Sequence, residues 1–142
     1  MKTQNYSNHS RLVAGWHGVT FLAILAFWIG SFVNLAHASG PELYSASLLC
    51  VAGFIFLCLF LFVRMFALKA QDRAIRAEEN LRHFALTGKL LPASLRIGQI
   101  IALRFAADEE FVGLAVKAAS ENLSSKEIKQ SINNWKADTY RV

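Results

Sequence analysis

Residues 12–38 contain no Asp, Glu, Lys or Arg, and neither do residues 43–63. Proline is scarce as well. Pro41 and Pro92 are the two, and each stands where a helical stretch would end. Cysteine also occurs twice, at Cys50 and Cys58. On one helix that pair would lie roughly 12 Å apart along the axis, beyond disulfide reach. Both therefore read as small apolar packing residues, and nothing implies an oxidising compartment. The motifs of catalysis are missing too: there is no nucleophile elbow, no phosphate-cradling glycine loop and no carboxylate pair set for acid–base work. Glu78-Glu79 and Glu109-Glu110 read as surface and helix-start residues. No H-x-x-x-H or C-x-x-C spacing occurs. His17 and His37 would stand roughly 30 Å apart on one helix, while His9 flanks the first apolar run and His83 follows the second. The expectation is no metal, no cofactor and no catalytic residue. The one cofactor reading left is a lone His17 ligating a haem or chlorin held by a partner, and anchoring beside Trp16 outweighs it.

What is present is apolar surface in excess. Hydrophobic residues make up 54% of the 142-residue chain, mean hydropathy is +0.34, and eleven residues are Phe. An ordinary soluble domain is less apolar. About 20 apolar residues match the hydrocarbon thickness of a bilayer, so residues 43–64 form one span and residues 13–37 another. Ala36-His37-Ala38 resembles a signal-peptidase site, but the apolar region is longer than a secretory core of 7–15 residues, so an uncleaved span is expected. Gly40-Pro41 supplies the turn between the spans, with Glu42 as the charge beside it. Lys2 and Arg11 precede the first span; Arg64, Lys69, Arg73 and Arg76 follow the second. The positive-inside rule places both termini in the cytoplasm. Trp16, Arg64, Lys69, Arg73 and Arg76 then sit at the lipid interface, where the bases attract anionic lipid.

No breaker follows Arg64 until Thr87-Gly88, so the second span should continue as a cytoplasmic extension helix over 65–87. Asp72–Arg76 and Glu78–Arg82 are acid-before-base pairs at i,i+4. Residues 88–142 read as a module of three helices. Ser94 caps one to about Ala106, Asp108 caps the next, and the Ser124–Glu127 capping box opens a last one to about Lys136. Ile128, Ile132 and Trp135 lie at helical spacing in that last helix. The fold class is all-α: a transmembrane hairpin (1–64), an extension helix and a small helical tail.

Two seams carry the interaction readings. Ala67, Ala70, Ala74, Ala77, Leu81 and Phe84 hold a strict a/d heptad register, and small residues there let another helix approach closely. Its partner is the protein's own tail module, a second copy or another protein. Within the membrane, Ala26, Gly30 and Asn34 of the first span would face Ala46, Cys50 and Gly53 of the second. Asn34 would then bond Ser45 or Ser47. The net charge of +5 reads mostly as topology signal and solvated helix faces. With no recognised motif and no basic stripe, no nucleic acid is expected.

Three stretches carry a resemblance. They are Gln4-Asn5-Tyr6-Ser7-Asn8-His9; the run from Ala70 through Gln71-Asp72-Arg73 to Arg82; and a C-terminal set comprising Gln99-Ile100-Ile101-Ala102-Leu103-Arg104-Phe105-Ala106, Ser125-Lys126-Glu127-Ile128-Lys129 and Asn134-Trp135-Lys136. Together they resemble a family of uncharacterised two-span bacterial membrane proteins, a domain of unknown function. The resemblance implies a bacterial inner membrane and transfers no activity. The function expected is a non-enzymatic accessory or scaffold subunit presenting a cytoplasmic helical module to another membrane protein. The alternative is a self-assembling or lipid-binding organiser.

Overall fold

The computed structural model describes residues 5, 6 and 12–138. His9, Lys2 and Arg11 lie outside them. The described residues form helices and turns: a π-helical segment Gly15–Thr20, then α1 (Phe21–His37), α2 (Glu42–Thr87), α3 (Ile97–Leu103), α4 (Asp108–Ser120) and α5 (Ser125–Gln130). Two of these helical stretches, Gly15–His37 and Glu42–Thr87, are long and apolar enough to cross a membrane. The chain divides into two compact units, Arg11–Ala67 and one that includes Leu68–Val142, with the boundary inside α2.

In the first unit the apolar runs become helices because nothing in them competes for the backbone, and the turn falls at Gly40, whose φ of +55° suits glycine. Packing of the π-helical segment and α1 on α2 is aromatic. Trp16 stacks on Phe60 with ring centroids 4.6 Å apart, and Phe27 meets Phe56 edge-on at 5.7 Å. Trp28 occupies the middle. Its indole N–H donates to the Cys50 carbonyl at 3.1 Å, and its ring lies where a side chain on Gly53 would begin. Any larger residue at 53 would collide with Trp28, so this glycine is a close-approach site.

Half of the seam expected from small residues is thereby corrected. Ala46 and Gly53 are buried and Cys50 half-buried, as a packing face requires. Ala26, Gly30 and Asn34 are exposed instead, and a side chain added at Gly30 would meet open space. The reason is steric: the small residues of α2 make a hollow, and a large indole fills it better than a second set of small residues. Asn34 finds no serine either, because Ser45 and Ser47 donate back to the carbonyls of Glu42 and Tyr44 in their own helix.

The second unit has a conventional core, in which Ile100, Leu103, Phe105, Phe111 and Ile128 are fully buried. Gly88, at φ +71°, ends α2 with its N–H on the Phe84 carbonyl at 2.7 Å. The α5 capping box forms: Ser124 Oγ accepts from the Glu127 N–H at 3.3 Å, and the Glu127 carboxylate accepts from the Ser124 N–H at 2.7 Å. Four helix ends differ from expectation, the first being that of α3, which stops at Leu103 rather than near Ala106. α3 begins at Ile97 rather than after Ser94, because the Gln99 side-chain oxygen accepts from the Arg96 N–H at 2.7 Å while its amide donates to the Leu123 carbonyl at 2.8 Å. α4 begins at Asp108 with Ala107 in the N-cap position and no side-chain cap bond, and the Asp108 carboxylate accepts from Arg82 instead. α5 stops at Gln130 rather than near Lys136. The chain then extends so that Trp135 pairs with Ala106 in an isolated antiparallel bridge, and its ring lies 5.1 Å from that of Phe105. Glu110 secures this return by accepting from the Asn133 and Asn134 N–H groups at 3.1 and 3.0 Å.

Candidate functional site

The last part of α2 has two faces. Ile75, Glu79 and His83, spaced four apart, are buried at 5%, 8% and 6% exposure. Apart from half-buried Ala67 in the first unit, the residues of the expected a/d register are exposed: Ala70, Ala74, Ala77, Leu81 and Phe84, with Leu81 at 68% and Phe84 at 51%. The tail module therefore does not cover the seam from Ala70 to Phe84. It packs on the opposite side, through a stripe that mixes apolar and ionisable residues.

Arg82 is the centre of that buried stripe. Its Nε donates to Asp108 Oδ1 at 2.6 Å, Nη1 to Glu79 Oε2 at 3.1 Å and Nη2 to the Ala106 carbonyl at 2.7 Å. The guanidinium also lies 4.2 Å from the centroid of the Phe111 ring, a cation–π placement. The i,i+4 partner expected for it, Glu78, is passed over for Glu79. Burial raises the Glu79 pKa above the ordinary carboxylate value, against the pull of the Arg82 hydrogen bond and charge. Asp108, mostly in solvent, is lowered by the hydrogen bond from Arg82 and then by its charge. Next to Arg82, His83 donates from Nδ1 to the Lys89 carbonyl at 2.7 Å and sets its ring against Phe111. These bonds tie the helix end to the loop that follows it.

Beside Glu79 lies a cleft of ≈ 340 Å³ lined by Ile75, Glu78, Glu79, Arg104, Lys136, Ala137 and Asp138. Arg104 Nη1 pairs with Asp138 Oδ2 at 2.9 Å, and the Arg104 guanidinium lies 4.8 Å from the Phe105 ring centroid. Both arginines are thus engaged with carboxylates of their own chain, and the cleft carries charges of both signs. The arrangement acts as a clasp that holds the tail to α2. It offers no set of groups aimed at a common reacting atom.

The clasp was not anticipated from sequence, although a signal existed. Ile75, Glu79, Arg82 and His83 form a second helical stripe opposite the alanines, with ionisable residues where a core face would be apolar. Of the residues expected at a lipid interface, Trp16 and Arg64 are half-buried, while Lys69, Arg73 and Arg76 are exposed. The exposed a/d face is flanked by Arg73 and Glu78, which are exposed as well.

No curated protein and no solved structure matches the chain. The sequence profile of a family of unknown function (DUF6526) matches it over residues 1–142.

Proposed function

The chain belongs to that family of unknown function, and from that premise we propose that it is a non-enzymatic integral membrane protein, an accessory or scaffold subunit. The hairpin anchors it in a bacterial inner membrane with both termini in the cytoplasm, and its clasped tail presents a helix face to a partner. One observation carries the reading. Leu22, Ile29, Phe54 and Leu59 are all more than half exposed, in helices that meet the length and hydropathy of a membrane span. Such a surface suits lipid and is unfavourable in water. The basic residues Arg64, Lys69, Arg73 and Arg76 after the second span support the orientation.

Fusions test it. Alkaline phosphatase joined after Val142 should be inactive and a fluorescent protein there should glow. Active phosphatase would overturn the orientation, and recovery of the whole chain in the soluble fraction would overturn the membrane reading. A second reading, a lipid-binding organiser, draws on the exposure of Lys69 and Arg76 close to the apolar segment. It requires tighter association of the detergent-free protein with anionic than with neutral vesicles.

A further inference from the structure

We propose that the occupant of the exposed α2 face is the same face of a second copy, in a parallel, in-register helix pair. The inference rests on the anchored-scaffold reading above and names its partner. Ala70, Ala74, Ala77, Leu81 and Phe84 alternate at spacings of three and four, and all are exposed. A heptad seam of this kind is matched by another of the same period. The choice of a second copy comes from the flanking charges. With Ala70 at d and Ala74 at a, Arg73 falls at g and Glu78 at e. In a parallel pair the g residue of one helix meets the e residue five positions on in its partner. Arg73 therefore meets Glu78 of the second copy, and symmetry makes the contact twice. Both side chains are exposed, and Arg82 pairs with Glu79 rather than with Glu78.

The orientation agrees with the anchor. Two copies inserted the same way in one membrane present this segment in parallel. The alanines allow close approach near the membrane, and Leu81 with Phe84 supply most of the apolar area further along. The seam spans only about two heptads, too few for a stable pair of free helices. Confinement to a bilayer raises the effective concentration enough to matter.

Disulfide mapping on the full chain in native membranes, with Cys50→Ser and Cys58→Ser as background, tests the proposal. Single cysteines at Ala74, Ala77 and Leu81 should each join to themselves on oxidation, and Arg76→Cys, off the seam, should do so roughly tenfold less. In this geometry paired seam positions come within disulfide reach. Arg73→Glu should reduce the Ala77→Cys dimer roughly fivefold, as expected for two exposed ion pairs turned repulsive. Adding Glu78→Arg should restore it. Equal cross-linking at Arg76 and Ala74, or failure of the charge swap to restore, overturns the parallel pair. Cross-linking at a single seam position points to an antiparallel crossing and overturns it as well. If seam thiols join a different protein, the second copy is wrong and the docking reading stands. If they join nothing while the fusions place both termini inside, the docking reading falls and the anchor survives.

Discussion

The two units of this chain treat their large apolar side chains in opposite ways. In the hairpin, Leu22, Ile29, Phe32 and Phe54 lie more than half exposed, whereas in the tail Leu103, Phe105, Phe111 and Ile128 are buried almost completely. The tail organises itself by removing apolar atoms from water, and its polar groups must then pair, as Arg82, Glu79 and Asp108 do. The hairpin exposes apolar atoms and packs through a few aromatic contacts, the closest fit being the Trp28 ring against Gly53. One unit should therefore fail when a charge loses its partner, and the other when a small residue grows.

The largest effect is expected at Arg82. Arg82→Ala strips Glu79, at 8% exposure, of its hydrogen-bonded cation and frees Asp108 and the Ala106 carbonyl of theirs. Breaking such a pair from one side costs about 3–5 kcal/mol. Denaturant unfolding should show that loss, and limited proteolysis should cut the tail while sparing the hairpin. A change below about 1 kcal/mol would mean the clasp is ornamental.

Next comes Gly53→Ala, whose new methyl meets the Trp28 ring; overpacking of this kind costs about 1–3 kcal/mol. Gly30→Ala meets nothing and should instead gain about 0.5–1 kcal/mol from helix propensity. Thermal melts in detergent separate the two, and equal shifts would remove the Trp28 contact as the organiser of the hairpin.

A smaller loss belongs to Ser124→Ala, which deletes the hydroxyl accepting from Glu127 N–H and should cost about 1 kcal/mol. Melting of the tail should record it with no change in the hairpin.

The smallest effect distinguishes two carboxylates by sign. Asp108 has a lowered pKa, so the stability it contributes is present above its ordinary unfolded value and is lost as pH falls through its folded one. Glu79 has a raised pKa, so folding favours its protonated form. Its unfavourable contribution is absent below the unfolded value and grows as pH rises through the folded one. Glu79→Gln should therefore change neutral-pH stability by less than about 1 kcal/mol, and should flatten the rise-side dependence while leaving the acid loss. A variant with an unchanged pH profile would show that Glu79 does not titrate in this range.

Local features were legible in the sequence, and contacts between distant segments were not. The charge-free runs, the Gly40-Pro41 turn, the Gly88 stop and the Ser124–Glu127 box depend on residues within a few positions of one another, and each forms as expected. Asp108 looked like a cap because its immediate neighbours suit one, yet its partner lies 26 positions away at Arg82. Trp135 looked helical by spacing until its pairing with Ala106 drew it straight. On α1 the small residues suggested a seam, but a stripe of small residues does not reveal whether its counterpart is small or, like Trp28, large. The candidate site was half visible in the same way. The a/d register could be read directly, whereas its exposure depends on where the tail packs.

The tryptophans follow the division between the units, and this makes the protein its own optical probe. Trp16 and Trp28 belong to the hairpin, and Trp135 to the tail. The Trp28 indole is fixed to the Cys50 carbonyl among aromatic neighbours, while Trp135 rests half-buried on Phe105. Trp135→Phe should leave an emission that reports on the hairpin alone, blue-shifted and poorly quenched by iodide. The difference from the parent spectrum would follow the tail. Unfolding of the two units could then be timed separately in one cuvette, without attaching a dye.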